Sequence, residues 1–473
     1  LVSQLPVLPN SPETKTVAPV IIVTPTLAPW LYQSPSLWQS AMSHMFQQFG
    51  KSGEAADIYS VAAVVDQLPL PSSDANQLGI DAKDFEQPGC EGMTLLFPDK
   101  KSLFGLKAQP AGRRDISSSE PEPTLVYGTT NGNTGNPTRV QVATPVANTI
   151  FSTGQPHTLI AARWQFSQEL EKPSMREFYN LANCRIESAP AALTTGLSVP
   201  LRAITQPKRV ITSMGNVLSQ LAADNGGKKG VPASTELEKI LPEYVRQHNL
   251  ENHRVAVWAL VKPEDTDHGD MSTIETTIDV SKAIASGARL YRVMGGGGGW
   301  GKKQGLLSLD PEYDTATTSK APVGLPIEDV LSNKAQEAQD DVSLDFSDEL
   351  PSFLRFSEED SISSLSSVAK PGDNVQFFVA PLDTPDAIAR NSSQPGNPVC
   401  GTHVFGVVPA SDTPSSSQIS NDDTKVIVIQ NHFGALSNKA VTFSTFDDPA
   451  QSNISQVAGT KIDVPGTRIV IKH

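Results

Sequence analysis

Residues 288–311 read Ala288-Arg289-Leu290-Tyr291-Arg292-Val293-Met294-Gly295-Gly296-Gly297-Gly298-Gly299-Trp300-Gly301-Lys302-Lys303-Gln304-Gly305-Leu306-Leu307-Ser308-Leu309-Asp310-Pro311. How this stretch is read decides whether the chain carries the strand–loop–helix of a nucleotide-binding fold. Its start is strand-like, and five consecutive glycines follow, closed by a tryptophan and two lysines. Glycine leaves the backbone bare and open to positive φ, so such a loop can press its amides against an anion, a nucleotide or another backbone. Gly296 to Lys302 fit the phosphate-loop motif G-x-x-x-x-G-K-[ST], but Lys303 stands where a serine or threonine binds magnesium. A phosphate loop also needs a helix behind it, whose N-terminal amides hold the phosphate. Pro311 arrives about two turns after Gln304, too soon for that helix.

Three readings of the run remain: a tight structural loop, an RNA contact, or an anion site of another kind. In the structural reading Trp300 plugs a hydrophobic pocket and the lysines are solvated. In the RNA reading Gly297, Gly298 and Gly299 allow close approach, Trp300 stacks on a base, and Lys302 and Lys303 meet phosphates.

Outward from the loop, 139–312 reads as an α+β core. Residues 139–146, 157–166 and 175–187 are strand-like, with a turn at 151–156. Pro207 is expected to open a helix with the apolar face Val210, Ile211, Met214, Val217, Leu218 and Leu221, ended by Asn225-Gly226-Gly227. Thr235 with Glu238 has the form of a capping box, starting a helix that carries Leu237, Ile240, Leu241 and Tyr244. The near-continuous apolar run 255–261 predicts a strand buried on both faces. A helical stretch at 279–286 leads into the strand before the glycines.

Residues 1–34, rich in Pro, Val and Thr, read as an extended arm. Residues 35–67 hold a helix and a strand. The helix opens at Ser34-Pro35 and places Leu37, Trp38, Ala41, Met42, Met45 and Phe46 on one face, as a core or partner-docking helix. The segment 68–138 is mostly Pro, Ser, Gly and Asn and reads as irregular, interrupted at 93–97. Residues 313–370 read as an acidic low-complexity insertion without a packed core of its own. Residues 371–473 are expected to complete the core through strands at 375–380, 403–408, 425–429 and 468–472. The expected fold class is α+β: a mixed sheet with a few packed helices, an extended N-terminal arm and long irregular insertions.

The chain has 473 residues and a net charge of −14, which excludes a nucleic-acid binder that works by bulk charge. Between Glu328 and Asp360 stand 11 acidic and 2 basic residues, so that segment carries −9 and the rest only −5. Cys90, Cys184 and Cys400 are far apart, without C-x-x-C spacing or a Cys/His cluster, so neither a zinc site nor a disulfide framework is supported, and a reducing compartment fits. No apolar stretch is long enough to span a membrane. A single basic residue, Lys15, in the first fifty argues against a transit peptide, while a start at Leu1 fits a processed, imported precursor or a shortened chain. The sequons at Asn391 and Asn453 read as chance.

Enzyme signatures are missing: there is no G-x-S-x-G, no H-E-x-x-H and no G-x-G-x-x-G in a βαβ setting. His248 and His253 lack an acidic partner at ligand spacing. Asn431-His432-Phe433-Gly434 follows an apolar run, where His432 can either be catalytic or orient a turn. Glu264, Asp265, Asp267 and His268 read as a solvated turn. No catalytic residue, cofactor or metal site is expected.

The stretch from Gly287 through the glycine run to Pro311 resembles a family of poorly described proteins of filamentous fungi. Thr144-Pro145-Val146-Ala147-Asn148-Thr149-Ile150-Phe151, residues 255–261, Gln376-Phe377-Phe378-Val379 and His432-Phe433-Gly434-Ala435 carry the same resemblance. It covers 139–311 and 371–473, not the arm or the acidic insertion. The chain is similar to a fungus-specific protein of the large subunit of the mitochondrial ribosome. That resemblance implies a structural role in the mitochondrial matrix, with mitochondrial ribosomal proteins as partners and a local rRNA contact open to the glycine loop. It implies no catalytic residues. The long irregular segments fit ordering on a large partner. Two other readings stand beside it: a nucleotide- or anion-binding enzyme using 296–302, and a mitochondrial ribosome assembly or RNA-processing factor.

Overall fold

The computed structural model describes residues 2–32, 36–49, 56–71, 89–108, 122–131, 138–167, 173–188, 192–223, 229–250, 255–264, 274, 276–296, 305–310, 324–332, 368–380, 400–408, 426–447 and 458–473. The fold is α+β: mixed sheets, few helices and long insertions between strands.

The largest sheet has 11 strands. Its path runs Ala458–Ile462, Val441–Asp447, Thr138–Pro145, Thr124–Asn131, Ser174–Glu187, Leu159–Phe166, Ala56–Val64, Val20–Val23 and Met93–Leu96. Two neighbours are parallel: Val20 pairs with Val61, and Leu125 with Cys184. The 14-residue strand Ser174–Glu187 changes partners along its length, taking Leu159–Phe166 over its first half and Leu103–Lys107 and Thr124–Asn131 over its second.

Side-chain alternation in the strands sends residues to two cores. Val20, Ile22, Val61 and Ala63 join the main core; Ile21, Val23, Ala62 and Val64 face the other way. The helix Ser36–Met45 covers that second face with Trp38, Ala41, Met42 and Met45, joined just past its end by Phe46 and Phe49. Both faces of these strands are buried, which explains runs such as Val20-Ile21-Ile22-Val23.

A four-stranded sheet, ordered Thr194–Ser198, Arg468–Lys472, Thr402–Val407 and His432–Ser437, lies against the main core. Phe405, Phe433, Ile469 and Ile471 are its contribution to that core.

The third unit is a closed antiparallel barrel. Lys208–Met214 pairs with Val217–Ala222, then Leu307–Leu309, Arg289–Gly296, Val257–Lys262 and Asn374–Val379, which returns to Lys208–Met214. Val257, Ala259, Val261, Tyr291, Phe377 and Leu309 share the inner cluster, together with Leu237 of the helix Thr235–Gln247. The alternate residues Trp258, Leu260, Leu290 and Phe378 face outward into the main core, with Val280 and Ile284 of the helix Thr277–Ala285. The strand at 257–262 is thus apolar throughout because it serves two cores at once.

Several expectations are corrected. The segment read as an N-terminal arm contributes Val20–Val23, fully buried inside the large sheet. The irregular segment 68–138 contributes four strands to that sheet or its core, at Met93–Leu96, Leu103–Lys107, Thr124–Asn131 and the start of Thr138–Pro145. The helix expected from Pro207 is a hairpin. Gly215, at φ +56°, begins a two-residue turn, and Met214 pairs with Val217 across it. Apolar residues at helix-like spacing arise there because the turn reverses the face. The acidic insertion is anchored where Ile327, Val330 and Leu331 enter the main core. Of 425–429, expected as a strand, Lys425 lies outside the described residues, and 426–429 have no strand partner among the described residues.

Candidate functional site

The strand before the glycine run, Arg289–Gly296, is antiparallel to the strand after it, Leu307–Leu309, with Gly296 opposite Leu307. The run therefore connects two strands of the barrel wall. Among the described residues the next element after it is the strand Leu307–Leu309 and not a helix, so they supply no dipole or N-terminal amides of a phosphate loop behind it. Gly297, Gly298, Gly299, Trp300, Lys302 and Lys303 lie outside the described residues. The return of the loop is fixed at Gly305, whose carbonyl accepts from Ser234 N at 3.1 Å as the helix Thr235–Gln247 begins. Ser234, rather than Thr235, stands at the N-cap position, and its hydroxyl donates to the Glu238 side chain at 2.7 Å instead of bonding the helix backbone, so the expected capping box is not formed.

Of the five residues read as a docking face, Trp38, Met42, Met45 and Phe46 are buried against the chain's own sheet; Leu37 is half-buried. Trp38 meets Trp164 edge-on at 5.5 Å. The core reading of this helix therefore accounts for its apolar face, and a partner does not bind there without displacing the sheet.

Sequence reasoning missed a cluster built from residues far apart in the chain. Tyr127 projects from the large sheet between His403 and His473 of the small one. Its hydroxyl lies 2.6 Å from His403 Nδ1 and 2.8 Å from His473 Nε2. The hydroxyl donates to one ring nitrogen and accepts from the other, so the ring that accepts is neutral. The two rings are 4.7 Å apart, and Phe405 and Phe433 pack beside them. His432 donates from Nε2 to the Pro69 carbonyl at 3.0 Å, so of its two readings the turn-orienting one is the geometry found.

Burial, then the neighbouring His473 and His432, push His403 down to about 3. Burial raises the Tyr127 hydroxyl above its ordinary value. Burial likewise raises Cys184 to about 12 and Cys90 to about 11, so neither thiol is poised as a nucleophile. Tyr127 and His403 thus form a neutral, hydrogen-bonded post between two sheets, and His403 is not tuned near neutrality. Among the described residues no group of three His, Cys, Asp or Glu is placed to hold a metal ion. Among them no helix is long and apolar enough to cross a membrane.

The other singled-out polar residues have structural placements. His248 stacks on Tyr244 at 4.1 Å and bonds its carbonyl at the helix end. Glu264 pairs with Arg209; Asp265, Asp267, His268 and His253 lie outside the described residues. Where barrel meets large sheet, Asp463 accepts from Trp258 Nε1 at 2.6 Å and lies 3.4 Å from Arg292.

The surface carries a stronger signal. The short helices Pro29–Tyr32 and Ile150–Thr153 touch, and on them Trp30 is 55% exposed, Ile150 42% and Phe151 fully exposed. Asn148 Oδ1 accepts from Ile150 N at the start of the second helix, Thr153 Oγ1 donates to the Thr149 carbonyl, and Gly154 ends the helix at φ +76°, so Phe151 is held out by a built turn. Exposed apolar side chains on neighbouring elements mark interaction sites. Compared with known protein families, curated proteins and solved structures, the chain matches none.

Proposed function

We propose that this chain is a structural component docked peripherally on the large subunit of a mitochondrial ribosome, in the matrix. Its contacts are mainly with ribosomal proteins, with a local rRNA contact through Trp300, Lys302 and Lys303. The resemblance to a fungus-specific large-subunit protein supplies the assembly. The observation that supports docking is the exposed patch of Trp30, Ile150 and Phe151 on a chain whose net charge is −14. Three exposed apolar side chains, two of them aromatic and fixed on short helices, suit the centre of a protein interface. A bulk electrostatic grip on RNA does not suit this charge. The buried, neutral Tyr127–His403 pair supports a scaffold over a catalyst. The test is sedimentation of the tagged full-length protein with salt-washed mitochondrial large subunits. Migration with the subunit is expected; retention at the top of the gradient overturns the reading.

A further inference from the structure

Val426, Ile427, Val428 and Ile429 are four consecutive β-branched residues, the composition that most favours a strand. They run without turn or bend, yet belong to no strand. No backbone hydrogen bond is found for any of the four among the described residues. The side chains of Val426, Ile427 and Val428 face water, Ile427 at 66% exposure, while Ile429 is half-buried. Immediately after them Asn431 adopts φ +56°, a left-handed corner that asparagine tolerates, and ladder pairing begins only at His432 opposite Thr402. The corner separates the apolar segment from the strand His432–Ser437, whose other edge is met by Gln67 through Leu436. What is left is a stretch of chain whose peptide groups have no partner among the described residues and whose side chains are apolar, which is what strand addition recognises.

We propose that 426–429 is a donor strand that pairs, backbone to backbone, with an exposed edge strand of a basic partner protein. The inference rests on the reading of this chain as a docked component and names the kind of neighbour it docks against. Unpaired peptide groups specify an extended backbone as the occupant. Charge specifies the partner: the chain carries −14, and just before the segment in sequence Asp422 and Asp423 outweigh the single Lys425. A second copy of the chain would oppose like charge to like charge, whereas a basic edge is attracted.

The test is amide hydrogen exchange on the full-length protein, alone and bound to salt-washed mitochondrial large subunits purified from a filamentous fungus. Alone, the amides of 426–429 exchange freely. On the particle they are expected to slow by about 100-fold or more, as paired strand amides do. The double variant I427P/V428P, which removes donors on both edges of the segment, is expected to bind about tenfold more weakly or worse. Its melting temperature should stay unchanged, since both side chains are exposed. Binding without protection at 426–429 overturns the donor strand and leaves the docking reading standing. No binding by the wild-type protein overturns both. Protection in the absence of particles, with a dimer mass by light scattering, assigns the segment to self-pairing and also overturns the proposal.

Discussion

The Tyr127 hydroxyl and Nδ1 of His403 are 2.6 Å apart across the boundary between the large and small sheets. Both groups are buried, and the bond keeps an imidazole uncharged in a low-dielectric interior. This contact makes the small sheet part of one body with the large one.

That contact gives stability a dependence on pH. His403 is depressed to about 3 in the folded protein, against about 6.5 when unfolded. Below the unfolded value the unfolded chain takes up a proton that the native state refuses. The contribution is therefore complete above about pH 6.5 and is lost progressively as pH falls toward 3. Between pH 7 and pH 5 the loss is about 2 kcal/mol from this site. Urea unfolding at both pH values checks it. His403→Gln should lower stability at pH 7 and flatten the difference between the two.

The helix Ser36–Met45 predicts a contrast between two of its residues. Met42 is wholly buried under the sheet, so Met42→Ala should cost about 2–5 kcal/mol in chemical unfolding. Leu37 is only half-buried, and Leu37→Ala should cost about 1 kcal/mol or less. Equal, small costs for both would place this face outside the core.

Two glycines that flank the run should respond differently. A Cβ on Gly305 would lie 2.5 Å from Pro232 Cβ, and its φ of +88° already disfavours any side chain. Gly305→Ala should destabilise by roughly 1–3 kcal/mol. A Cβ on Gly295 meets nothing within 4 Å, so Gly295→Ala should be close to neutral in thermal melts.

Much of the framework was legible in the chain because one signal dominated locally. The strands at 159–166, 174–187 and 257–262 are long, β-branched or aromatic, and bounded by turn residues. The hairpin at 208–222 was misread because Val210, Met214, Val217 and Leu221 satisfy helical spacing, while the Gly215-Asn216 pair that signals a hairpin was passed over. Val20–Val23 was hidden in a proline-rich context, and its burial depends on partners at 61–64 and 93–96. The histidine–tyrosine cluster was invisible for a simpler reason. Positions 127, 403 and 473 meet only through pairing of distant strands, and no local spacing announces such a meeting. Phe151 read as part of a turn, and only the fold shows that it is held outside the core on a helix next to the one that carries Trp30.

The central claim is that this protein docks through its exposed apolar surface on the mitochondrial large subunit. The most direct measurement compares the particle-bound fraction of the wild-type protein with that of Phe151→Ser in a salt-washed sedimentation assay. Phe151 is fully exposed, so the variant should fold and melt as the wild type does. The account predicts wild-type protein migrating with the large subunit and a variant whose affinity falls by about tenfold or more. Wild-type protein remaining at the top of the gradient, or a variant bound as well as the wild type, would contradict it.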